Sequence, residues 1–382
     1  MPLGDCVLTN GRFILPRSVL EGGALVIESG KIRSVLESGE KLPPDLPRRD
    51  LGNAWVTPGL VELHIHGAGG DSFEDMPEDP EAGAERITRV AAFLRSRGVT
   101  TFVPTIVSRE ASIASLACAL ETLGRPREVI PGIYVEGPFV NPARRGGIPL
   151  DAICDPDSRV LGRMLNLARG RMALMTLAPE LPGYREMLAR LEAVGVLPCL
   201  GHSDCDIDRI TLPSGKFSVT HLFNAMSPIS HKTPGLAMLP FLDRRPFVEL
   251  NADGVHVNEA ALRICASALE PDKLMLISDA AYPAGLPEGR YGTGEEELVS
   301  GPDGVRYAAS GVLMGSRRLA PDILHNWLRV TGSAVENALR MLTLCPAQAL
   351  GIDDRRGAIA EGLDATLVVW KGQLEEVEEI LE

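Results

Sequence analysis

The sequence lacks a long apolar run and an excess of basic side chains. No apolar run reaches the roughly 18 residues that suggest a membrane helix, and Asp5 and Asn10 stand where a secretory signal would be apolar. We therefore expect a cytoplasmic protein without a membrane partner. The 382 residues include 51 acidic and only 38 basic side chains. Because binding to nucleic acid phosphates requires a basic surface, we also expect no nucleic-acid partner.

Closely spaced cysteines are missing as well. The seven cysteines are scattered along the chain and form no CxxC pair, so the sequence indicates neither a disulfide framework nor a thiolate zinc site. We expect these cysteines to be reduced and mostly buried. Any metal ion must then be sought among the histidines and the carboxylates.

The two ends of the chain differ in pattern from its middle. Short alternating segments punctuated by glycine and proline fill residues 1–56, and a similar pattern returns in GAIAEGLDATLVVW near the C-terminus. Such segments are typical of short strands. We expect the two ends to pair in one sheet and to form a small β-sandwich domain of residues 1–56 and 354–382, beside a barrel domain of residues 57–353.

The middle of the chain alternates short apolar runs with stretches of helical spacing. In EAGAERITRVAAFLRSRG one helical face carries Ile87, Val90, Ala91 and Leu94. The candidate strands number eight and lie at residues 61–65, 100–105, 129–135, 173–177, 196–200, 217–220, 247–250 and 273–277. This alternation predicts an α/β fold, a (β/α)8 TIM-type barrel. An open doubly wound sheet would be indicated by a GxGxxG turn after the first strand, and no such turn follows it.

His64 and His66 lie at the end of the first candidate strand. Because successive side chains of a strand point to opposite faces, these two imidazoles share one face, about 7 Å apart, and both can point to one ion. Two histidines in a strand are also common on a polar surface. This pair alone is therefore weak evidence for metal binding.

Further polar side chains follow other candidate strands, namely Glu136, His202, His221, Asp253, His256 and Asp279. The C-terminal ends of barrel strands converge at one mouth, where active sites are built. Histidine and carboxylate ligands without cysteine suit Zn²⁺, Fe²⁺ or Mn²⁺, and this set is large enough for two ions. Taken singly, each residue is equally compatible with a helix cap or a turn acceptor, as Asp253 before Gly254 illustrates. The whole set favours a metal centre.

Two other histidines are less well placed. His231 lies in the loop SPISHKTPG, where contact with a substrate and simple exposure to solvent are both compatible with the sequence. His325 lies in the helical segment PDILHNWLRV, and we expect it to be structural. A long excursion rich in glycine and glutamate, residues 285–304, follows the eighth candidate strand.

Several runs carry a resemblance to a known family. They are VTPGLVELHIHGAGG, VEGPFVNPARRGG, LGHSD, THLFNAMSP, ADGVHV, ISDAAYPAG and TLCPAQALGIDDRRGAIAEGLDATLVV. In order and over nearly the whole chain, the sequence resembles the N-acetylglucosamine-6-phosphate deacetylases of the amidohydrolase superfamily. The resemblance implies that a principal ion is held by Glu136, His202 and His221. It also implies that His64 and His66 can hold a second ion and that Asp279 is the proton shuttle.

The resemblance further implies which residues contact the sugar and the phosphate, namely Gly147, Ile148, Asn224, Ala225, Lys232, His256, Leu313, Met314 and Gly315. Two positions depart from the family pattern. Ile148 stands where a histidine usually helps to polarise the carbonyl. Lys232 and Thr233 stand where arginine and glutamate are usual, and a lysine lacks the bidentate fork that suits a phosphate. Arg144 and Arg145 are nearby candidates to compensate, or simply a surface pair.

These observations predict a metal-dependent hydrolase with one or two divalent ions, zinc first, with iron, manganese, cobalt or nickel as alternatives. The expected reaction converts N-acetylglucosamine 6-phosphate to glucosamine 6-phosphate and acetate. The alternatives are a deacetylase of N-acetylgalactosamine 6-phosphate or of an unphosphorylated N-acyl sugar, and a non-catalytic binding protein on the same barrel. By the family resemblance we also expect a homodimer.

Overall fold

The computed structural model of the chain describes residues 3–124 and 129–382. Its N-terminal segment consists of short strands, which are β1 (Cys6–Thr9), β2 (Arg12–Leu15), β3 (Ser18–Glu21), β4 (Ala24–Glu28), β5 (Lys31–Leu36), β6 (Arg48–Asp50) and β7 (Trp55–Pro58). The turn between β4 and β5 passes through Gly30, whose φ of 72° lies in the left-handed region that glycine adopts without strain.

Strands and helices alternate through the middle of the chain. In chain order they are β8 (Leu60–Ile65), β9 (Gly67–Ala68), β10 (Asp71–Ser72), α1 (Pro80–Arg95), β11 (Val99–Val107), α2 (Glu110–Leu123), β12 (Ile133–Glu136), α3 (Ser158–Leu167), β13 (Met172–Leu177), α4 (Tyr184–Ala193), β14 (Leu197–Leu200), β15 (Ser218–Val219), α5 (Leu239–Leu242), β16 (Phe247–Asn251), α6 (Glu259–Ala268) and β17 (Leu274–Ile277). The predicted helical face of α1 is confirmed, because Ile87, Val90, Ala91 and Leu94 are all buried. Asp79 accepts a hydrogen bond from the N–H of Ala82 and so caps this helix.

The barrel predicted from the sequence is confirmed. One parallel sheet contains the eight predicted strands in the order β17-β16-β15-β14-β13-β12-β11-β8. The two edge strands meet at their C-terminal ends, where the N–H of Asp279 donates to the carbonyl of His64 at 3.0 Å and the N–H of His66 donates to that of Ala280 at 2.9 Å. The third strand begins at Ile133, later than predicted. Pro131 lies in the predicted part that is lost, and a proline has no N–H for a ladder.

The C-terminal part adds a small sheet, three helices and two last strands. These elements are β18 (Gly289–Tyr291), β19 (Leu298–Gly301), β20 (Gly304–Tyr307), β21 (Leu313–Gly315), α7 (Ala320–Thr331), α8 (Val335–Arg340), α9 (Leu344–Leu350), β22 (Leu367–Lys371) and β23 (Glu376–Leu381). Strands β18 to β21 form an antiparallel sheet that begins within the predicted excursion, residues 285–304, and extends beyond it to Gly315. The N–H of Ser316 donates to the carbonyl of Asp279 at 2.7 Å, so this sheet is attached beside the barrel mouth.

The two chain ends share one sheet, as predicted. Strand β22 pairs antiparallel with β7, with Leu367 opposite Pro58 and Trp370 opposite Trp55. This sheet has the order β23-β22-β7-β2-β3, and a second sheet has the order β5-β4-β1-β6. Buried apolar side chains from both sheets, including Leu25 and Leu367, form one core. The fold is therefore a (β/α)8 barrel with a β-sandwich built from both ends of the chain, while the division at residues 56/57 and 353/354 stays a prediction.

Two expectations about composition can be compared with the fold. All seven cysteines are free and five of them are buried, as expected. Across the described ranges, no helix combines the length and the apolar character needed to cross a membrane.

A polar network lies inside the barrel beneath its mouth. The hydroxyl of Tyr134 lies 3.0 Å from that of Thr220, and the hydroxyl of Thr176 donates to Tyr134 at 2.9 Å. Tyr134 in turn donates to the buried carboxylate of Glu249 at 3.0 Å. Buried polar groups that are fully hydrogen-bonded hold their neighbours in one arrangement. This network therefore holds the residues directly below the barrel mouth in fixed positions.

Candidate active site

The site residues predicted from the strand ends lie together at the barrel mouth. His64 is in β8 and His66 follows it directly, and Glu136 is the last residue of β12. His202, His221 and Asp279 each lie two residues beyond a strand, after β14, β15 and β17. All six side chains belong to residues that are at most 7% exposed. Ionisable side chains buried to this degree require partners of opposite charge or a bound ion.

An unusual backbone turns three of these side chains toward the mouth. His202, His221 and Asp279 have φ values of 47°, 27° and 50°, in the left-handed region. This conformation costs a residue other than glycine about 1–3 kcal/mol, and it clusters at functional sites. The fold therefore holds these three residues in strained positions that direct their side chains to one point.

Glu136, His202 and His221 form the first ligand group. The Nε2 atoms of His202 and His221 are 3.0 Å apart, and they lie 3.4 and 3.3 Å from Oε1 of Glu136. A tetrahedral zinc ion with bonds of about 2.1 Å holds its ligand atoms about 3.4 Å apart. The triangle of donor atoms therefore fits a divalent ion of this size.

His64, His66 and Asp279 form the second ligand group. Oδ1 of Asp279 lies 3.7 Å from Nε2 of His64 and 3.5 Å from Nε2 of His66. Glu136 stands between the groups, because its Oε2 is 3.4 Å from Nε2 of His66. Nε2 of His64 is buried without a hydrogen-bond partner, which costs about 1–3 kcal/mol. A cation here would satisfy that nitrogen, so the second group also fits a metal ion.

Carboxylates behind the second group orient its imidazoles. Nδ1 of His64 donates to Oε2 of Glu249 at 2.9 Å, and Nδ1 of His66 donates to Oε1 of Glu74 at 3.0 Å. A carboxylate in this position fixes the ring and leaves Nε2 facing the ligand site. In the first group, Nδ1 of His202 meets the backbone carbonyl of Arg144 at 3.1 Å. Nδ1 of His221 has no hydrogen-bond partner within the described ranges.

Charge within the site shifts the ionisation of its members. Burial opposes the charge of Glu136, but His64, His202, His221 and His66 outweigh it and hold its pKa well below the usual value. Burial also opposes protonation of His64, yet Glu136 and Glu249 raise its pKa to about 9. The pKa of Asp279 falls to about 2 despite burial, chiefly because His66 hydrogen-bonds to it. Without a cation His64 and His66 therefore bind protons more readily than a free imidazole, and metal binding must displace those protons.

A cavity of about 230 Å³ opens onto both groups. Most of the residues that the family resemblance assigns to the substrate line it, namely Gly147, Ile148, Asn224, Ala225, His256, Leu313 and Met314. Gly315 lies behind this wall, where a Cβ would stand 2.7 Å from the carbonyl oxygen of Asp279. Lys232 is exposed and is not among the lining residues.

The remaining polar candidates His231, His256 and Asp253 differ in their position relative to the cavity. His231 is exposed and lies outside the cavity lining. His256 is inside it, with Nδ1 donating to Asp253 at 2.8 Å and Nε2 3.7 Å from Oδ2 of Asp279. Asp253 also accepts from the N–H groups of Val255 and His256, both at 2.8 Å. It is therefore a turn acceptor, as its position before glycine suggested, and it also orients His256.

Sequence reasoning did not single out Glu74, Glu249 and Tyr307. Glu249 lies in FVEL, a strand candidate that is otherwise apolar, and Glu62 lies in the same way beside His64. An acidic residue inside a buried strand is costly unless it has a partner, and that signal was available. Tyr307 lines the cavity from β20, which no local pattern connects to the barrel mouth.

Comparison with known proteins agrees with the geometry. The amidohydrolase family model matches residues 55–183 and 242–381. N-acetylglucosamine-6-phosphate deacetylase from Bos taurus is 33% identical over 378 residues, which cover 93% of this chain and 90% of that protein. N-acetylgalactosamine-6-phosphate deacetylase from Escherichia coli O157:H7 is 29% identical over 372 residues, which cover 95% of this chain and 94% of that protein.

A solved structure gives the same result. An aspartate-to-alanine mutant of N-acetyl-D-glucosamine-6-phosphate deacetylase from Mycobacterium smegmatis, in complex with N-acetyl-D-glucosamine-6-phosphate, superposes with a TM-score of 0.85 and 29% identity. The superposition covers 99% of this chain and 98% of that chain. The resemblance found in the sequence is thereby confirmed. The chain belongs to the amidohydrolase family, and within it to the N-acetylglucosamine-6-phosphate deacetylases.

Proposed function

We propose that the chain hydrolyses the N-acetyl group of an amino sugar 6-phosphate, with N-acetylglucosamine 6-phosphate as the leading substrate. The products are glucosamine 6-phosphate and acetate. One observation carries the proposal: two buried ligand groups meet at Glu136 and open, together with Asp279, onto a single cavity of about 230 Å³. The matched relatives that act on N-acetylated sugar phosphates support the choice of substrate.

The proposal includes one or two divalent ions, zinc first, with iron, manganese, cobalt or nickel as alternatives. Glu136, His202 and His221 would hold the principal ion, and His64 and His66 would hold a second. A divalent cation supplies Lewis acidity, which lowers the pKa of water and polarises a carbonyl oxygen. The buried position of the ligands keeps bulk water out and strengthens electrostatic interactions in the site.

Asp279 is the proposed proton shuttle. Its low pKa keeps the carboxylate ionised at neutral pH, so that it can accept a proton from the attacking water. It would then deliver that proton to the nitrogen of the departing amine. His256 lies 3.7 Å from the other carboxylate oxygen and is itself oriented by Asp253. Asp279 is therefore held between the ligand groups and the substrate cavity.

Polarisation of the substrate carbonyl must come from a group other than Ile148. Its side chain offers no donor and packs with Val140 and Ala152 in an apolar cluster. Loss of one oxyanion donor typically costs about 3 kcal/mol. His256 and His231 are the histidines outside the ligand groups that could supply a donor, and of these His256 lines the cavity whereas His231 does not. His256 and a second ion are therefore the proposed replacements.

The substrate's phosphate requires a cation that the described cavity lining lacks. Among those lining residues there is no lysine or arginine, and Arg144 is paired with Asp204 at 2.8 Å. We therefore propose that the chain forms a homodimer. Lys232 of the second copy would then complete the phosphate site. A cytoplasmic location stays a prediction from the sequence.

The lack of lysine and arginine among the described lining residues favours a second candidate, an enzyme that acts on an unphosphorylated N-acyl sugar. Lys232→Ala separates the two candidates. If Lys232 binds phosphate, this change raises KM for phosphorylated sugars and leaves KM for unphosphorylated ones unchanged. The expected rise is at most about fivefold, because ion pairs at exposed sites contribute about 0.2–1 kcal/mol. Equal effects on both substrate types would remove phosphate from the proposal, and exposed Lys41→Ala is the matched control.

A deacetylation screen tests the proposed function directly. Metal-replete protein is incubated with N-acetylglucosamine and N-acetylgalactosamine, each with and without 6-phosphate, and released acetate is measured. The proposal expects the highest kcat/KM for N-acetylglucosamine 6-phosphate. Protein that retains its metal but releases no acetate from any of the four compounds would contradict it. Protein purified without chelator that holds no divalent ion would favour a non-catalytic binding protein.

A further inference from the structure

A second cavity adjoins the catalytic one. It has a volume of about 460 Å³, twice that of the catalytic cavity. The residues common to both linings are Val107, Tyr307 and Met314. These three side chains therefore stand between the two spaces, and we call them the partition. Neither the sequence nor the family resemblance assigned Val107 or Tyr307 to the site.

The partition is held by two parts of the fold, the barrel and the small sheet. Val107 ends β11, and its N–H donates to the carboxylate of Glu74 at 3.0 Å. Tyr307 ends β20, and its hydroxyl points to the carbonyl of Gly147 at 3.4 Å. Met314 lies in β21, the neighbouring strand of the same small sheet. The partition is thus fixed by the barrel on one side and by the small sheet on the other.

Contact with Gly147 brings the ring of Tyr307 close to the opposite wall. A Cβ placed on Gly147 would lie 3.8 Å from Cε2 of this ring, which is ordinary van der Waals distance. The ring therefore leaves little room between β20 and the loop that carries Gly147. Glu74 also connects the partition to the second ligand group, because it binds both Val107 and His66. The partition consequently stands beside the reacting end of the cavity.

The catalytic cavity is lined by both polar and apolar residues. Asn224 and His256 provide an amide and an imidazole, whereas Ile148, Leu313 and the partition provide mainly apolar surface. An N-acetylated sugar phosphate has the same division, with hydroxyls and phosphate on the ring and a methyl group on the acyl carbon. Hydrolysis requires the acyl carbon to lie against the ligand groups, and Glu74 binds both His66 of the second group and Val107 of the partition. The acyl methyl then faces the partition.

We propose that the partition limits the length of the acyl group, so that acetyl fits and longer acyl chains meet Tyr307 and Met314. This inference rests on the proposed deacetylase function, and it names the residues that determine which acyl group the enzyme accepts. The space behind the partition is large enough for several methylene groups once the ring is removed. Its far side carries charged residues such as Arg109 and Glu296.

The experiment compares acyl chain lengths in partition variants. Glucosamine 6-phosphate carrying an N-acetyl, N-propanoyl, N-butanoyl or N-hexanoyl group is the substrate series. The unaltered chain should prefer acetyl. In Tyr307→Ala the ratio of kcat/KM for N-butanoyl to that for N-acetyl should rise at least about tenfold, the typical effect of fitting or excluding a methylene group. Tyr307→Phe keeps the ring and should leave the ratio near its original value.

Two further variants keep the test decisive. Met314→Ala opens the same partition from β21 and should raise the ratio in the same direction, which carries the test if Tyr307→Ala does not fold. Tyr291→Ala is the matched control, because Tyr291 lies in the same small sheet but lines neither cavity. It should leave the preference for acetyl unchanged.

The possible failures are distinguishable. In the first case, the unaltered chain hydrolyses N-acetylglucosamine 6-phosphate, but the ratio of kcat/KM for N-butanoyl to that for N-acetyl stays constant in Tyr307→Ala and Met314→Ala. This result would overturn the role of the partition and leave the deacetylase function intact. An equal rise in Tyr307→Phe would assign the effect to the hydroxyl and also overturn the partition. An unaltered chain that releases no acyl group from any member of the series would overturn the proposed function and the inference that rests on it.

Discussion

The two ligand groups of the barrel mouth are oriented by different means. His202 and His221 have left-handed backbones that turn their side chains inward. At Nδ1, His202 meets a backbone carbonyl and His221 has no hydrogen-bond partner among the described residues. His64 and His66 have no such backbone, and each instead donates Nδ1 to a carboxylate. The first group is therefore positioned by the backbone beyond two strand ends, and the second by charged side chains from other parts of the chain.

This difference has a chemical consequence. A carboxylate behind an imidazole increases the basicity of the nitrogen that faces the ligand site. The second group should therefore lose cation affinity when Glu74 or Glu249 is replaced by a neutral residue. The first group should lose less, because Glu249 contacts it at the backbone N–H of His221, at 3.4 Å, and not at an imidazole. Variants that remove one support at a time would test the comparison.

The largest effect is expected from Glu136→Gln, because Glu136 contacts both groups. An amide keeps the size of the side chain but removes the negative charge that four imidazoles share. We expect both groups to lose their ions and acetate release to fall to background. Metal content by mass spectrometry and a turnover assay check this. Exposed Glu192→Gln is the control, and full metal content in Glu136→Gln would show that the groups do not depend on the shared carboxylate.

Asp279→Asn should separate catalysis from binding in the first group. Asp279 belongs to the second group only, so the first group should keep its ion. Loss of a general acid–base residue typically lowers kcat by about 10²- to 10⁴-fold. Turnover and metal content are measured on the same preparation, with exposed Asp303→Asn as the control. If turnover stays within a few-fold of the original value, another group moves the proton.

Glu249→Gln addresses the support behind His64. Removal of such a support typically lowers metal affinity about 10- to 100-fold. We expect this loss at the second group and a smaller loss at the first, because Glu249 contacts the first group through the backbone N–H of His221, at 3.4 Å. Titration of metal-free protein with zinc and a competing chelator measures both affinities. Glu74→Gln should have the same effect through His66. An equal loss of affinity at both groups would contradict the comparison.

Acid should release an ion from the second group before the first. The pKa of His64 is raised to about 9 and that of His66 lies well above its ordinary value, so His64 binds a proton as the pH falls below about 9 and His66 binds one at a higher pH than a free imidazole does. Each proton that competes with the ion weakens its binding by about 1.4 kcal/mol per pH unit. Metal content after dialysis from pH 9 to pH 6 measures the order of loss. If the first group released its ion at a higher pH than the second, the expected difference between the groups would be wrong.

Much of the fold was readable from local patterns. The eight barrel strands appear as apolar runs between helical stretches, and the side chains at their C-terminal ends include every member of the two ligand groups. The β-sandwich was also predicted, because the two ends of the chain share the pattern of short strands. The start of the third barrel strand was placed too early, since the apolar run extends past Pro131, which has no N–H for the ladder.

The supporting residues were not readable in the same way. His64 and Glu249 are separated by 185 residues, and nothing in either local sequence specifies the partner. Tyr307 belongs to a small sheet whose position over the mouth depends on contacts with the end of β17. Sequence patterns report periodicity and burial, whereas the partner of a buried polar atom depends on how distant strands are brought together.

The amino-acid sequence by itself determined the order of strands and helices and the chemistry available at each strand end, because alternation, helical spacing and residue type are local properties. Only the tertiary structure decided that Glu136 stands between two groups, that Lys232 stays outside the cavity, and that Tyr307 closes one side of it. These facts depend on distances of a few ångströms between residues far apart in the chain, and closure of the barrel fixes those distances.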